Sequence, residues 1–350
     1  MRNEPTTHKN SLQLPEGFTM RAPTLADVPS AAAMFNASSI DLLGTPQFTE
    51  EELAADWQEP GFDLAADARV ILNQEGQIVG STDAILPPPH VRNLIWARVH
   101  PAYRGRGFGT ILTSWAEARI RERISEAPAG ARVTADCQTV AGHQAAVDLF
   151  DTLGFTLVRN ICSMKIDMTA PPPQPQWPAA ITIRTMVPGQ DEAALYRAKT
   201  EAFRDHWGFV ETPFAEGLAL WRHEFESKAT HDPSLFFMAV TADEAGQESI
   251  AAYALCEPTI TDFPGMAWVN NLGVRRPWRR QGLATALLHH IFGEFYRRGI
   301  TTVGLGVDAS SLTGATRLYE QVGMRVFRHY AIYEKELRPG HDLTTQVVHD

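Results

Sequence analysis

The chain has 350 residues, 44% of them hydrophobic and 21% charged, with a net charge of −10. That length suffices for two domains of ordinary size, each able to bury its own core. The acidic balance argues against nucleic acid as a partner, since that calls for a basic excess. No apolar run approaches the roughly 20 residues a membrane helix needs.

The polar start, Met1 to Lys9, lacks an apolar stretch, so no secretory signal is expected and the cytoplasm is the default location. Residues 1–14 read as a tail. The first domain, 15–168, begins with a strand from Phe18, a turn at Pro23, and a helix carrying Val28, Ala32 and Phe35 on one face. A hairpin follows, with Val70-Ile-Leu and Ile78-Val-Gly-Ser-Thr on either side of a turn ending at Gly76. The strand Leu94 to Val99 then feeds a glycine-rich turn and the helix Gly107 to Arg123. A strand (Ala131 to Cys137), a helix ending Phe150-Asp-Thr-Leu-Gly154, and a last strand close the domain.

Residues 169–180 hold five prolines and form an extended, semi-rigid linker. The second domain, 181–338, repeats the order of the first, and 339–350 read as a second tail. Its strand Trp268 to Val274 feeds a turn and the helix Gly282 to Arg298. Its closing helix ends Tyr319-Glu-Gln-Val-Gly323. Repetition of element order across both halves points to internal duplication.

The chemistry concentrates at the two turns. They read Val99-His-Pro-Ala-Tyr-Arg-Gly-Arg-Gly-Phe-Gly109 and Val274-Arg-Arg-Pro-Trp-Arg-Arg-Gln-Gly-Leu-Ala284. A glycine-rich turn at a helix start presents unpartnered N–H groups and the positive end of the helix dipole, which suits a phosphate or pyrophosphate. Neither copy ends in the Gly-Lys-Ser/Thr of a P-loop. Neither follows the first strand of a βαβ unit, as a dinucleotide fingerprint would. No Gly-x-Ser-x-Gly elbow is present.

A strand ending in Val, the Arg-x-x-Gly-x-Gly/Ala turn, a helix, a strand and a closing Tyr/Phe-x-x-x-Gly helix resemble the GNAT superfamily of N-acetyltransferases. The match covers nearly the whole chain, and the doubled arrangement resembles the tandem acetyltransferases of the mycothiol synthase group. The resemblance implies an α/β fold, a mixed, mostly antiparallel sheet flanked by helices, in two tandem GNAT-like domains. It implies that the sheet splays after the fourth strand of each domain and that acetyl-CoA enters the gap as cosubstrate. The pyrophosphate would lie on Arg104, Gly105, Arg106, Gly107, Phe108, Gly109 and Thr110 in the first domain. In the second it would lie on Arg279, Arg280, Gln281, Gly282, Leu283, Ala284 and Thr285. The pantetheine arm would pair with the strand at Ala97 and Val99, or at Leu272, Gly273 and Val274.

The resemblance also implies an acid for the leaving thiolate, a tyrosine four residues before the closing glycine. The second domain has Tyr319 there; the first has Phe150, which donates no proton. Aligning Val99 with Val274 sets Ile95 and Trp96 against Asn270 and Asn271, so only the second domain offers polar groups to orient an acceptor. Relatives often carry a carboxylate on this strand, which puts direct base catalysis from it in doubt here. Glu257, at the end of an apolar strand, is the leading base, with Asp262 and Glu201 as alternatives. The segment His206-Trp-Gly-Phe209, whose Trp207 and Phe209 are joined by Trp221 and Phe225, is a candidate for a wall of the acceptor pocket or for a packed seam.

The expected function is transfer of an acetyl group to a small-molecule primary amine in a ternary complex, by the second domain, with the first non-catalytic. A non-catalytic acyl-CoA sensor and a protein N-acetyltransferase are the alternatives. Three scattered cysteines and no paired His or Cys spacing predict no metal. The chain is expected to be a monomer or homodimer without nucleic acid or membrane partners.

Overall fold

In the computed structural model, residues 13–227, 231–311 and 314–346 are described, the side chains of 225–227 excepted. The first half runs β1 (Thr19–Arg21), α1 (Val28–Leu43), α2 (Glu50–Asp56), α3 (Leu64–Asp67), β2 (Ala68–Leu72), β3 (Ile78–Ile85) and β4 (Arg92–Val99). It continues with α4 (Phe108–Glu122), β5 (Val133–Val140), α5 (Gln144–Thr152) and β6 (Thr156–Asp167). The second half runs β7 (Thr182–Thr185), α6 (Glu192–Phe203), α7 (Phe214–Ser227), β8 (Phe236–Ala242), β9 (Glu248–Glu257) and β10 (Ala267–Val274). It ends with α8 (Leu283–Arg297), β11 (Thr302–Asp308), α9 (Ala315–Gln321) and β12 (Arg325–Arg338). The duplicated order and the mixed, helix-flanked sheet agree with the sequence.

The described strands form one sheet of 12, in the order β1-β2-β3-β4-β5-β12-β6-β11-β10-β9-β8-β7. The halves exchange their last strands. β6, from the first half, lies antiparallel to β11 of the second, with Thr302 opposite Asp167 and Asp308 opposite Ile161. β12, from the second half, lies antiparallel to β5 of the first. β6 and β12 pair with each other at the centre. The linker must then cross from β6 to β7 at the far edge, five strand spacings or roughly 24 Å. An extended, proline-dense segment spans that distance, and its Trp177 packs on the core beneath α8.

In each half the fourth strand has a parallel partner for only part of its length. β4 pairs with β5 over Arg92 to Ile95 and then parts from it. β10 pairs with β11 over Ala267 to Val269, and a register shift at Asn270 bends it away. Each half therefore opens a gap, where the sequence placed it.

Helices cover both faces because the strands alternate. Phe237 and Ala239 of β8 face α8, while Phe236, Met238 and Val240 face α6 and α7. The closing glycines carry φ of +80° at Gly154 and +89° at Gly323. There the chain reverses so that Phe155 N–H reaches the Phe150 carbonyl and Met324 N–H that of Tyr319, at 2.9 and 3.0 Å. This turn fixes the helix end that carries Tyr319. Among the described residues no helix is long and apolar enough to cross a membrane.

Candidate active site

The two glycine turns are built alike. Gly107 and Gly282 stand just before α4 and α8 in the left-handed region, at φ +81° and +82°. Two residues earlier, Gly105 takes φ +75° and its counterpart Arg280 takes +61°. A turn with repeated positive φ points successive N–H groups the same way and makes an anion-binding concavity. Arg280 holds a conformation that costs an L-residue about 1 kcal/mol, so the shape of the turn is kept even where the glycine is not.

The first arginine of each turn is already engaged. Arg279 and Arg276 both pair with Asp205, which follows α6 and is buried. Arg279 also donates to the carbonyls of Val274 and Ala202, each at 3.1 Å. Arg276, then Arg279, hold the Asp205 carboxyl down at about 2. In the first half Arg104 pairs with Asp41, near the end of α1. In both halves this arginine ties the turn to the end of the half's first long helix. Arg280 makes no ion pair among the described residues, and Arg106 lies over the Tyr103 ring at 5.2 Å.

The gap beside β10 opens into a cavity of about 310 Å³, lined among others by His206, Trp207, Asn270, Asn271, Leu272 and Tyr319. The sequence-derived tyrosine and both asparagines therefore share one space. Tyr319 is only 8% exposed, and burial pushes its phenol up to about 12, so it carries a proton at neutral pH. Glu257 is buried but does not line this cavity. It accepts a hydrogen bond from Asn270 Nδ2 and lies 3.4 Å from His231 Nε2. Its route to the cavity is through Asn270.

Of the alternative bases, Glu201 pairs with Arg275 at 2.8 Å. Asp262 accepts from Gln47 of the first half at 3.0 Å, away from the cavity. His206, which the sequence offered only as part of a candidate acceptor wall, also lines the cavity. Its ring packs on Phe203 at 4.1 Å. Burial, then the charge of Arg279, lowers its pKa below the ordinary imidazole value, which leaves it neutral and able to take a proton.

Trp207 lies between two guanidinium groups of the first half, Arg92 at 4.4 Å and Arg159 at 4.8 Å, and donates to Gln346 at 3.0 Å. Phe209 does not line the cavity; its carbonyl takes the N–H of Thr345 at 2.9 Å. Trp221 is buried against Tyr196 and faces a separate cavity of about 390 Å³. The Phe225 side chain lies outside the described residues. Arg92 and Ile161, from the first half, and Ile332 of the exchanged strand also line the Tyr319 cavity. A linear comparison of the halves could not find them, because strand exchange and the seam bring them there.

In the first half the matching positions carry packed aromatic rings. Phe150 is buried against Phe155 and Tyr333. Trp96, the counterpart of Asn271, packs at an angle on Phe35 and Phe48, ring centroids 4.8 and 5.1 Å away, and Arg98 lies over its ring.

The family description "Acetyltransferase (GNAT)" matches residues 35–155 and again 194–324. The chain belongs to the GNAT acetyltransferase family. It is similar to the mycothiol acetyltransferase of Streptomyces scabiei, 29% identical over 68% of this chain and 70% of that one. The mycothiol acetyltransferase of Salinispora tropica is 28% identical over 94% and 99%. Among solved structures, a GCN5-related N-acetyltransferase from Sphaerobacter thermophilus is 38% identical, with a TM-score of 0.76 over 95% of this chain and 99% of that one. A tandem GNAT protein from the clavulanic acid biosynthesis pathway shares the fold at 15% identity, TM-score 0.68, over 92% and 99%. This GNAT chain is thus an N-acetyltransferase with the tandem architecture that its repeats predicted.

Proposed function

We propose that this GNAT chain transfers the acetyl group of acetyl-CoA to the primary amine of a small molecule, in a ternary complex, with the chemistry in the C-terminal half. The observation that carries this reading is an asymmetry. Tyr319, Asn270 and Asn271 share a cavity beside the splayed β10, whereas the matching positions in the first half are the apolar Phe150 and Trp96, each packed against other rings. Acetyl-CoA supplies an activated acyl group.

The residues divide the remaining work. The amides from Arg280 to Thr285 and the Arg280 charge receive the pyrophosphate, with Arg279 and Gln281 shaping the turn. Leu272, Gly273 and Val274 offer an unpaired strand edge to the pantetheine arm. Asn270 and Asn271 orient the acceptor, and Trp207 walls its pocket. Glu257 acts through Asn270, which it holds in place, while the neutral His206 imidazole takes the proton of the incoming amine. Tyr319 protonates the leaving thiolate. The first-half turn, Arg104 to Thr110 with Ala97 and Val99, retains the shape of a second acyl-CoA cradle without this chemistry. The mycothiol acetyltransferases above favour an amino-sugar conjugate as acceptor, taken up in the cytoplasm by a monomer or homodimer.

The test is thiol release from acetyl-CoA over a panel of amino sugars, polyamines, aminoglycosides and peptide N-termini. Tyr319→Phe should keep acetyl-CoA affinity and lose about 10²-fold or more in kcat. Unchanged turnover would remove Tyr319 from its role. Binding of acetyl-CoA without turnover on any amine would favour a sensor, and turnover on peptides alone a protein acetyltransferase.

A further inference from the structure

One buried polar group packed against β10 has no hydrogen-bond partner among the described residues. Tyr253, on β9, stands opposite Gly273 of β10 and packs among Leu195, Ala202 and Phe236 on the α6 and α7 face. It is fully buried, at 0% exposure. Its hydroxyl nevertheless has no hydrogen-bond partner among the described residues. A buried donor left unpaired costs stability, and native folds rarely tolerate one without a use.

Gly273 explains how the phenol lies where it does. A Cβ at 273 would stand 2.5 Å from Tyr253 Cε1 and 2.8 Å from its Cζ and hydroxyl oxygen. With no side chain there, the ring lies over β10 at a point beyond Val269, where the strand has already parted from β11. This is the edge that the acyl-CoA arm would join. Gly273 falls between the cavity-lining residues Asn270 to Leu272 and the pyrophosphate turn beginning at Arg279. The thioester end belongs at the cavity, by Tyr319, so the middle of the arm, which carries its amides, passes Gly273.

The first half shows the alternative. At the same register Ser81 stands opposite Arg98. Ser81 Oγ donates to the Arg69 carbonyl at 3.3 Å, and Arg98 donates to the Ala97 carbonyl at 3.0 Å. There both polar groups are satisfied inside the fold. Only in the C-terminal half does this position keep a donor in reserve.

We propose that the Tyr253 hydroxyl donates a hydrogen bond to an amide carbonyl of the pantetheine arm when an acyl-CoA lies along β10. The proposal rests on the acyl-CoA reading above. It explains why a tyrosine and a glycine are paired across β9 and β10 where an apolar pair would pack without an orphaned group.

The test is calorimetric titration of full-length Tyr253→Phe with acetyl-CoA and, separately, with CoA, beside thermal melts without ligand. Loss of one neutral hydrogen bond should weaken both ligands roughly threefold to tenfold. The ligand-free melting temperature should be unchanged or raised, since no internal bond is removed. Unchanged affinities would overturn the proposal. So would a loss confined to acetyl-CoA, which would move the bond to the thioester, or a clear fall in the ligand-free melting temperature, which would reveal an internal partner. If the wild type binds neither acetyl-CoA nor CoA, the acyl-CoA reading fails first; if it binds both and the variant matches it, only the Tyr253 assignment fails.

Discussion

His206 and Tyr319 line the same cavity, and the proposed function gives them opposite proton transfers. Burial raises the Tyr319 phenol to about 12, so it keeps its proton throughout the neutral range and is available as a donor to the departing thiolate. Burial and Arg279 lower the His206 imidazole, so the ring is neutral near pH 7. The groups facing it are Arg279, Asp205 and Asp308, with Arg92 and Tyr319 across the cavity. As pH falls through its depressed pKa, His206 takes a proton and can no longer accept one from the amine. The kcat/KM profile should therefore have an acid limb lying below the ordinary imidazole pKa of about 6.5. In His206→Gln that limb should vanish and kcat should fall by about 10²-fold. A limb that persists unchanged in the variant would return the base role to Glu257. Tyr319 was legible in the sequence because its spacing from Gly323 is local. For His206 the sequence offered only a place in the acceptor wall, since an imidazole in a loop shows a proton-transfer use only when its surroundings are assembled.

The strand–turn–helix unit keeps its geometry while its residues drift. Gly105 and Arg280 occupy the same positive-φ position, at +75° and +61°. Arg280→Gly should relieve left-handed strain and raise stability by about 1 kcal/mol, read from denaturant midpoints. The same change removes a charge from the pyrophosphate cradle, so acetyl-CoA should bind more weakly, with a shallower salt dependence. Tighter binding would show that strain, not charge, governs the turn. The sequence carried this unit well, because positive φ, helix starts and apolar periodicity are all local. It did not reveal that Arg104 and Arg279 are tied to Asp41 and Asp205. Those carboxylates lie more than 60 residues away in the chain, and nothing in the turn names them.

Strand exchange makes the halves mutually dependent. Without β12, the first half would expose the edge of β5; without β6, the second would expose the edge of β11. Residues 1–168 and 181–350, expressed apart, should be insoluble or lack a cooperative thermal transition, and should co-purify as a folded complex when co-expressed. Independent, sharp melts of the separate pieces would refute this dependence. The exchange also bears on the site, because Arg92 and Ile161 of the first half wall the Tyr319 cavity. In the proposed function, the first half therefore shapes the acceptor pocket of the second.

By itself the sequence determined the family, the duplication, the two glycine-turn helix starts and the asymmetry between Tyr319 and Phe150. Each of these is written in patterns spanning a few tens of residues. Only the tertiary structure decided which strands pair at the centre, which face of the cavity the first half supplies, and that the Tyr253 hydroxyl has no partner among the described residues. A strand's period-two pattern says which face is buried but not which edge it will join. Whether a buried hydroxyl is satisfied depends on neighbours that the chain brings together from far apart.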